Sequence, residues 1–254
     1  MTYTAVVLAG SRPGRDALSE RFGTDLKALI PVYGEPMVGR PVRALLESDY
    51  VGSIIVLSQE SERLRGALAD DPKLRVAWSD GTIAATMLSL CNDPSTQWPL
   101  LVTTADSAML DGPTVNEFCA GAEGADLAVG VVERGTLMRR FPDAKRTWLS
   151  FRGGAYTGAN LFMLGSPAVA PVIELWRAVE QDRKKGWRIV SMLGPAVLIG
   201  AALRLLSIDD VLAIVARRFG LKVKAVRLSN PLAGIDVDKV EDHALVEAIL
   251  RERA

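Results

Sequence analysis

Four short stretches of the chain carry residues that could together bind a nucleoside triphosphate. They are the glycine-containing loop at residues 8–16, the lysine Lys27, the acidic strand end at residues 103–106 and the late segment 234–238. The first and third follow hydrophobic segments typical of buried strands. The carboxyl ends of parallel strands form one edge of a sheet, where ligands bind. A phosphate cradle, a cation and carboxylates at this edge predict a site for a nucleoside triphosphate and a divalent metal.

The loop after the first strand is predicted to bind phosphate through its backbone. Gly10 and Gly14 can adopt conformations that residues with a Cβ resist, which lets amide groups converge on phosphate oxygens. Arg12 and Arg15 add guanidinium donors, and Arg12 is also expected to stabilise charge during catalysis. The predicted contacts of this loop are Leu8, Ala9, Gly10, Arg12 and Arg15. An ordinary βα turn is the alternative, because neither the dinucleotide nor the Walker A spacing is present.

Lys27 precedes the apolar residues 28–32 and a predicted turn at residues 33–36. We predict that it contacts the α-phosphate of a triphosphate, where negative charge develops during displacement. A positioned cation stabilises that charge without a proton transfer. The alternative is a solvated surface lysine.

Three carboxylates are predicted to bind magnesium. Asp106 ends an uncharged strand, and Asp236 and Asp238 lie two residues apart, so that in an extended segment they face the same side. Carboxylates and phosphates suit Mg²⁺, which takes oxygen ligands and keeps some waters. Alternatively, Asp238 caps the helix predicted to begin near Lys239.

The pair Gly81-Thr82 opens a predicted helix. A glycine there could admit a nucleobase, and the hydroxyl could hydrogen-bond its edge. The same residues, with Ser79 before them, are equally suited to capping the helix.

An acceptor site is predicted further along the chain. Thr157, Gly158 and Asn160 are small or amide residues suited to a hydroxylated acceptor, although a bulge within a strand would explain them as well. Lys145 and Arg146 belong to a basic group that could hold an acceptor phosphate, with a solvated surface as the alternative.

Composition limits the class of protein. Thirty basic and thirty acidic residues leave no net charge, which argues against a dedicated nucleic-acid binder. Cys91 and Cys119 have no metal-ligand spacing, and a reducing cytoplasm is the expected setting. The only histidine, His243, is expected at the surface of the last helix, so no Ser-His-Asp or Cys-His arrangement is predicted. The apolar segment 189–206 favours a buried or interface helix. Association of the protein with a membrane surface and assembly into a homo-oligomer are left open.

Strand and helix patterns alternate along the chain. Strands are predicted at 4–9, 52–58, 73–78, 99–104, 126–132, 146–151, 159–164 and 222–227, and helices at 36–48, 61–69, 83–91, 112–122, within 167–219 and at 239–252. This order predicts an α/β domain with a Rossmann-like, mostly parallel sheet flanked by helices. Residues 1–254 are expected to form a single domain. Its nucleotide-binding core spans about 1–132 and 222–254, and a helix-rich acceptor-side insertion spans about 133–221.

These motifs resemble those of the glycosyltransferase-A-like nucleotidyltransferases, which include MobA-like and sugar-phosphate nucleotidyltransferases. Leu8-Ala9-Gly10 with Arg12 or Arg15 looks like the signature loop, and the segment from Lys27 to Met37 resembles the lysine-proline segment. Gly81-Thr82 is similar to the base-contact pair, Asp106 to the first metal ligand, residues 236–238 to the closing metal segment, and Thr157-Gly158 to the acceptor segment. The loop lacks the usual second glycine directly after Gly10.

The sequence therefore predicts a cytoplasmic, magnesium-dependent nucleotidyltransferase. It would transfer a nucleoside monophosphate from a triphosphate to a phosphorylated acceptor and release pyrophosphate. The alternatives are a glycosyltransferase of the same fold that uses a nucleotide sugar, and a nucleotide-binding protein without turnover. The base and the acceptor are left open.

Overall fold

A computed structural model describes residues 2–10, 17–79, 82–181, 200 and 204–253 of the chain. Within these residues, eight strands form the main sheet, and two short strands form a separate pair. The strands are β1 (Tyr3–Leu8), β2 (Pro31–Val32), β3 (Glu35–Pro36), β4 (Val51–Ser58), β5 (Leu74–Trp78), β6 (Leu100–Thr104), β7 (Leu127–Glu133), β8 (Leu149–Phe151), β9 (Gly154–Leu164) and β10 (Val223–Arg227). The order β10-β7-β9-β6-β1-β4-β5 confirms the predicted α/β sheet, and β8 pairs with β9 at its side.

Helices cover both faces of this sheet. They are α1 (Ala17–Phe22), α2 (Gly39–Leu46), α3 (Ser61–Arg65), α4 (Ile83–Asn92), α5 (Gly112–Ala122), α6 (Arg134–Arg140), α7 (Ala170–Gln181), α8 (Ile208–Phe219) and α9 (Val240–Arg253). Successive residues of a strand point to opposite faces, and β1 shows the result. Ala5 and Val7 pack into the larger apolar cluster with residues of α2, α5 and α9, whereas Val6 packs into the smaller one with residues of α4 and α7.

β9 departs from the expected arrangement. It is antiparallel and pairs with β6 on one side and with β7 on the other, so it completes the centre of the sheet. The range 133–221, predicted as an insertion, thus contains a strand of the central sheet. A hydrophobic pattern indicates a strand but not its direction, which is why the sequence could not place it. The helix α6 was also not predicted.

The order of the strands creates the crevice. From β1 the chain proceeds to β4 and β5 on one side, and then returns to form β6 on the other side of β1. Such a reversal opens a gap at the carboxyl edge of the sheet, because the connections leave in opposite directions. The end of β1 and the turn after β6, with Asp106, therefore lie side by side at this edge, where the amide of Ala105 donates to the carbonyl oxygen of Leu8.

Two expectations about single elements had different outcomes. His243 is not a surface side chain: its ring packs on Phe22 at 4.7 Å between centroids, and its Nε2 lies 2.7 Å from the carbonyl oxygen of Pro31. The apolar segment 189–206 lies almost entirely outside the described residues. Among the helices that are described, none has the length and apolar character needed to cross a membrane.

We predict that Gly234→Ala lowers the free energy of unfolding. Gly234 ends a turn of 3₁₀ helix at Pro231–Gly234, and an added Cβ there would come within 2.9 Å of both Leu137 Cδ1 and Thr157 Cγ2. Overpacking of this kind costs about 1–3 kcal/mol. Gly158→Ala is the matched control, because its Cβ would meet nothing within 4 Å. Chemical denaturation of both variants measures the difference, and equal stability would contradict the close packing.

Candidate active site

Lys27 is held in place by its neighbours in the sequence. It begins a turn of 3₁₀ helix, Lys27–Leu29, with Leu26 and Ala28 on either side buried in the core. The β2–β3 hairpin follows, and its two turn residues, Tyr33 and Gly34, have φ angles of 52° and 82°. Two such residues form the tight turn that suits a two-residue hairpin. The buried backbone leaves the Lys27 side chain pointing toward the carboxyl edge of the sheet.

The ammonium group of Lys27 lies between two carboxylates that are far apart in the sequence. Its Nζ donates to Asp106 Oδ2 at 3.0 Å and to Asp238 Oδ1 at 2.6 Å. Burial alone would lower the pKa of Lys27, but the attraction of the two carboxylates outweighs it, so the pKa is raised above its ordinary value. Lys27 is therefore a permanent cation near neutral pH.

The backbone brings Asp106 and the segment 235–238 together. The amide of Val237 donates to the carbonyl oxygen of Asp106 at 3.0 Å. Val237 is fully buried, and the two aspartates that flank it leave the core on the other side of this extended segment. The hydroxyl of Thr104 donates to Asp106 Oδ1 at 2.5 Å and orients that carboxylate. The structure thus places the three aspartates of the predicted metal site in one region.

Asp236 has a different partner from Asp106 and Asp238. Arg146 Nη1 donates to Asp236 Oδ1 at 2.6 Å, and Arg146 Nη2 lies 3.0 Å from Asp242 Oδ1. The Arg146 side chain is only 7% exposed. The basic residue predicted to hold an acceptor phosphate is therefore buried against two carboxylates.

Burial dominates the ionisation of Asp236. It raises the pKa of this carboxyl to about 6, and the nearby charges of Asp238 and Asp106 act in the same direction. Arg146 opposes this shift without cancelling it, although it forms a close ion pair with Asp236. A cation that joined the site would favour the ionised form.

Two helix-capping alternatives can be compared with the structure. The amides of Asp238 and Lys239 donate to Asp242 Oδ2 at 3.2 and 3.0 Å, so Asp242 provides a cap at the start of α9. The Asp238 side chain meanwhile accepts from Lys27. At the other position, Thr82 does act as a cap, because its hydroxyl accepts from the amide of Ala85 at 3.3 Å.

Only part of the predicted phosphate loop is described. Leu8 belongs to β1, and the amide of Ala9 donates to the carbonyl oxygen of Leu57 at 2.9 Å. The backbone at these two residues is therefore used for pairing within the sheet. Gly10 does not have a positive φ, so its backbone is not in the left-handed conformation that glycine alone adopts readily. Its small size matters instead, because an added Cβ would lie 3.1 Å from the Gln59 side chain. Arg12, Arg15 and Gly81 lie outside the described residues.

A cleft of about 420 Å³ opens beside Asp238. It is lined by Lys145, Arg146, Thr147, Thr157, Gly158, Asp236, Asp238, Lys239, Glu241 and Asp242. Four of the five residues predicted for the acceptor site belong to this lining. The fifth, Asn160, has a φ of 49° and lies in the part of β9 where the pairing with β7 is irregular. The irregular pairing at Asn160 matches the alternative interpretation of this segment, a bulge within the strand. Lys239, which the sequence analysis did not single out, lies on the cleft directly after Asp238.

Within the described residues, no group of three histidine, cysteine or acidic side chains has the geometry of a complete metal site. Asp106 and Asp238 nevertheless converge on one cation, the ammonium of Lys27. A pair of carboxylates completed by phosphates and water is the usual protein contribution to a magnesium site. The donor set therefore fits Mg²⁺ bound together with a triphosphate rather than by the protein alone.

The sheet order is that of a Rossmann-like α/β fold, and the Lys27 ammonium lies between two carboxylates at its carboxyl edge. A family model of the MobA-like NTP transferase domain matches residues 5–197, and the chain belongs to this family. A comparison with curated proteins gave no significant match.

Three solved structures illustrate the similarity. A hypothetical transferase from Thermus thermophilus is 29% identical, with a TM-score of 0.77 over 96% of this chain and 100% of that chain. A 4-diphosphocytidyl-2C-methyl-D-erythritol synthase from Anaerococcus prevotii is 11% identical, with a TM-score of 0.61 over 98% and 96%. A CMP:2-keto-3-deoxy-manno-octonic acid synthetase complexed with CTP is 9% identical, with a TM-score of 0.60 over the full length of both chains. At these identities, the last two show the fold alone.

We predict that Asp236 makes the metal-free protein less stable as the pH rises from about 4 to about 6. The folded protein keeps the Asp236 proton up to about pH 6, whereas the unfolded chain releases it near the ordinary value of 3.8. The unfolding free energy therefore falls across this range, by about 2 kcal/mol after allowance for partial exposure. Denaturation in EDTA should show this slope, and Asp236→Asn should remove it. An unchanged slope in the variant would contradict the assignment.

Proposed function

We propose that the protein transfers a nucleoside monophosphate from a nucleoside triphosphate to a phosphorylated acceptor, with Mg²⁺ as cofactor. An oxygen of the acceptor phosphate attacks the α-phosphorus, the bond between this phosphorus and the oxygen that bridges to the β-phosphate breaks, and pyrophosphate leaves. The new bond is a phosphoanhydride. No general base is needed, because the acceptor phosphate is already an anionic nucleophile.

One observation carries the proposal: the Lys27 ammonium between Asp106 and Asp238 at the carboxyl edge of the sheet, in a MobA-like NTP transferase domain. Lys27 is held protonated, so it can donate to the α-phosphate as negative charge develops there. Asp106 and Asp238 are the proposed protein ligands of Mg²⁺. When bound, the ion would neutralise phosphate charge and orient the leaving pyrophosphate.

We assign the other predicted residues to the two substrates. The amide of Gly10, with Arg12 and Arg15, is proposed to contact the triphosphate, and Gly81-Thr82 the base. Thr82 can keep its capping bond with one lone pair of its hydroxyl oxygen and still donate its hydrogen to a base. The acceptor is proposed to bind in the cleft that contains Lys145, Thr157 and Gly158. This cleft adjoins Asp238, so an acceptor phosphate there would lie next to one of the proposed magnesium ligands.

The first test is a search for pyrophosphate release. Each of the four ribonucleoside triphosphates is first screened by thermal shift with Mg²⁺, because a ligand that binds the native state raises the apparent stability. The triphosphate that binds most tightly is then mixed with a panel of phosphorylated sugars and alcohols. Magnesium-dependent release of pyrophosphate is expected with one of them. Turnover of a nucleotide sugar instead would identify a glycosyltransferase, and binding without turnover in any mixture would indicate a non-catalytic protein.

We predict that Lys27→Ala reduces kcat by about 10²-fold or more, while affinity for the triphosphate changes far less. The reason is that the ammonium acts on charge that develops in the transition state. Lys73→Ala is the control, since Lys73 is an exposed lysine beside β5. Steady-state kinetics and equilibrium binding separate the two effects. Unchanged turnover in a folded Lys27→Ala variant would remove this residue from the mechanism.

We predict that Asp238→Asn leaves the stability of the metal-free protein nearly unchanged but abolishes most of the magnesium-dependent stabilisation by triphosphate. Asp238 is 57% exposed, and exposed ion pairs contribute about 0–1 kcal/mol. Glu62→Gln provides a matched control, because it breaks the exposed pair with Arg65 away from the cleft. Melting temperatures with EDTA, and with Mg²⁺ plus triphosphate, give the comparison. If Asp238→Asn kept the magnesium-dependent shift, a two-carboxylate metal site would be excluded.

A further inference from the structure

Arg146 lines the cleft but has little surface on it. Its side chain is 7% exposed, and its guanidinium lies 2.6 Å from Asp236 Oδ1 and 3.0 Å from Asp242 Oδ1. The same Nη1 atom also lies 3.4 Å from the backbone oxygen of Asp236. One arginine thus contacts the chain on both sides of Asp238.

We infer that Arg146 is a positioning residue that holds Asp238 opposite Asp106. It acts through Asp236 and Asp242 and does not bind the acceptor itself. The inference rests on the proposed function, because it concerns the carboxylate pair assigned to Mg²⁺.

Asp242 connects Arg146 to the backbone of Asp238. Its Oδ1 faces Arg146, while its Oδ2 accepts from the amides of Asp238 and Lys239 at 3.2 and 3.0 Å. A single carboxylate therefore links the guanidinium to the backbone of Asp238. Two residues before Asp238, the pairing of Arg146 with Asp236 fixes the other end of the segment. Between these two points, the amide of Val237 is bonded to the backbone of Asp106.

The competing role is recognition of an anion. Within the described residues, Arg146 Nε and Nη2 have no hydrogen-bond partner, although Nη2 forms an ion pair with Asp242, and a ligand oxygen could use these donors. Two observations argue against an acceptor phosphate there. The guanidinium charge is already balanced by two carboxylates, and a phosphate at Arg146 would also face Asp236 and Asp242. Repulsion from these like charges would oppose its binding.

The experiment separates the two roles with metal and anion probes. The variants are Arg146→Met and Arg146→Lys, with Arg218→Met as a matched control at an exposed arginine in the last turn of α8, away from the cleft. The first measurement is the affinity for Mn²⁺ in the presence of the triphosphate that the wild-type protein binds most tightly. It is obtained from the electron paramagnetic resonance signal of free Mn²⁺. The second is the rise in melting temperature that inorganic phosphate produces in EDTA.

We expect Arg146→Met to weaken Mn²⁺ binding by about 10- to 100-fold, which is the usual effect of losing a partner that orients metal ligands. Its response to phosphate should match that of wild type. Arg146→Lys should recover part of the affinity, because lysine restores the charge but cannot span two carboxylates in the same geometry. Arg218→Met should behave as wild type in both measurements.

Two outcomes would overturn the inference. Wild-type Mn²⁺ affinity with a lost phosphate response would make Arg146 an anion ligand, and a lower melting temperature with unchanged Mn²⁺ affinity would make it a structural residue only. If Arg146→Met does not fold, Asp242→Asn decides: it keeps an oxygen for the two amides, loses the charge opposite Arg146, and should also weaken Mn²⁺ binding. If the wild-type protein binds no Mn²⁺ with any triphosphate, that result contradicts the proposed function. It is distinguishable from failure of the inference, which appears as a difference between the variants and a wild type that does bind Mn²⁺.

Discussion

The arrangement of the site depends on one charge, the ammonium of Lys27 between Asp106 and Asp238. The two carboxylates come from segments that are more than a hundred residues apart, and without a cation between them their proximity would be unfavourable. On the proposed function, Asp106 and Asp238 would hold Mg²⁺ when the triphosphate is bound, and Lys27 would donate to the phosphates instead of to the two carboxylates. Each of these side chains would then lose one charged partner only as it gains another.

The central sheet explains why the proposed nucleotide and acceptor regions adjoin. β9 is antiparallel to β6, and its pairing with β6 begins at Phe162, opposite Val102. Because β9 runs from the carboxyl edge of the sheet toward Leu164, its first residues lie beyond the paired part of β6, at that edge. This direction brings Thr157 and Gly158 to the cleft. A parallel strand at the same place would instead bring its last residues to this edge.

The sequence predicted the parts of the site that depend on local patterns. Asp106 follows a segment with a clear strand pattern, and Lys27 precedes a clear turn. Their places in the fold could therefore be predicted from the local sequence. The bonds of Arg146 could not be predicted, because Asp236 is 90 positions away and both ends of the pair resemble surface charges. Gly10 illustrates a different limit. The sequence singles this residue out for a phosphate contact, but its observed environment depends on Gln59, which only the folded structure brings near.

Two sets of charges in the site differ in how freely they can rearrange. Asp238 is 57% exposed, and the pair it forms with Lys27 is accessible to water and to ligands. Arg146 is almost fully enclosed, and removal of a partner would leave a buried charge without compensation, which is far more costly than the loss of an exposed pair. The pair of Lys27 and Asp238 can therefore exchange partners, whereas Arg146 with Asp236 and Asp242 keeps its geometry. On the proposed function, in which Mg²⁺ would replace the Lys27 ammonium between the carboxylates, the site needs both properties.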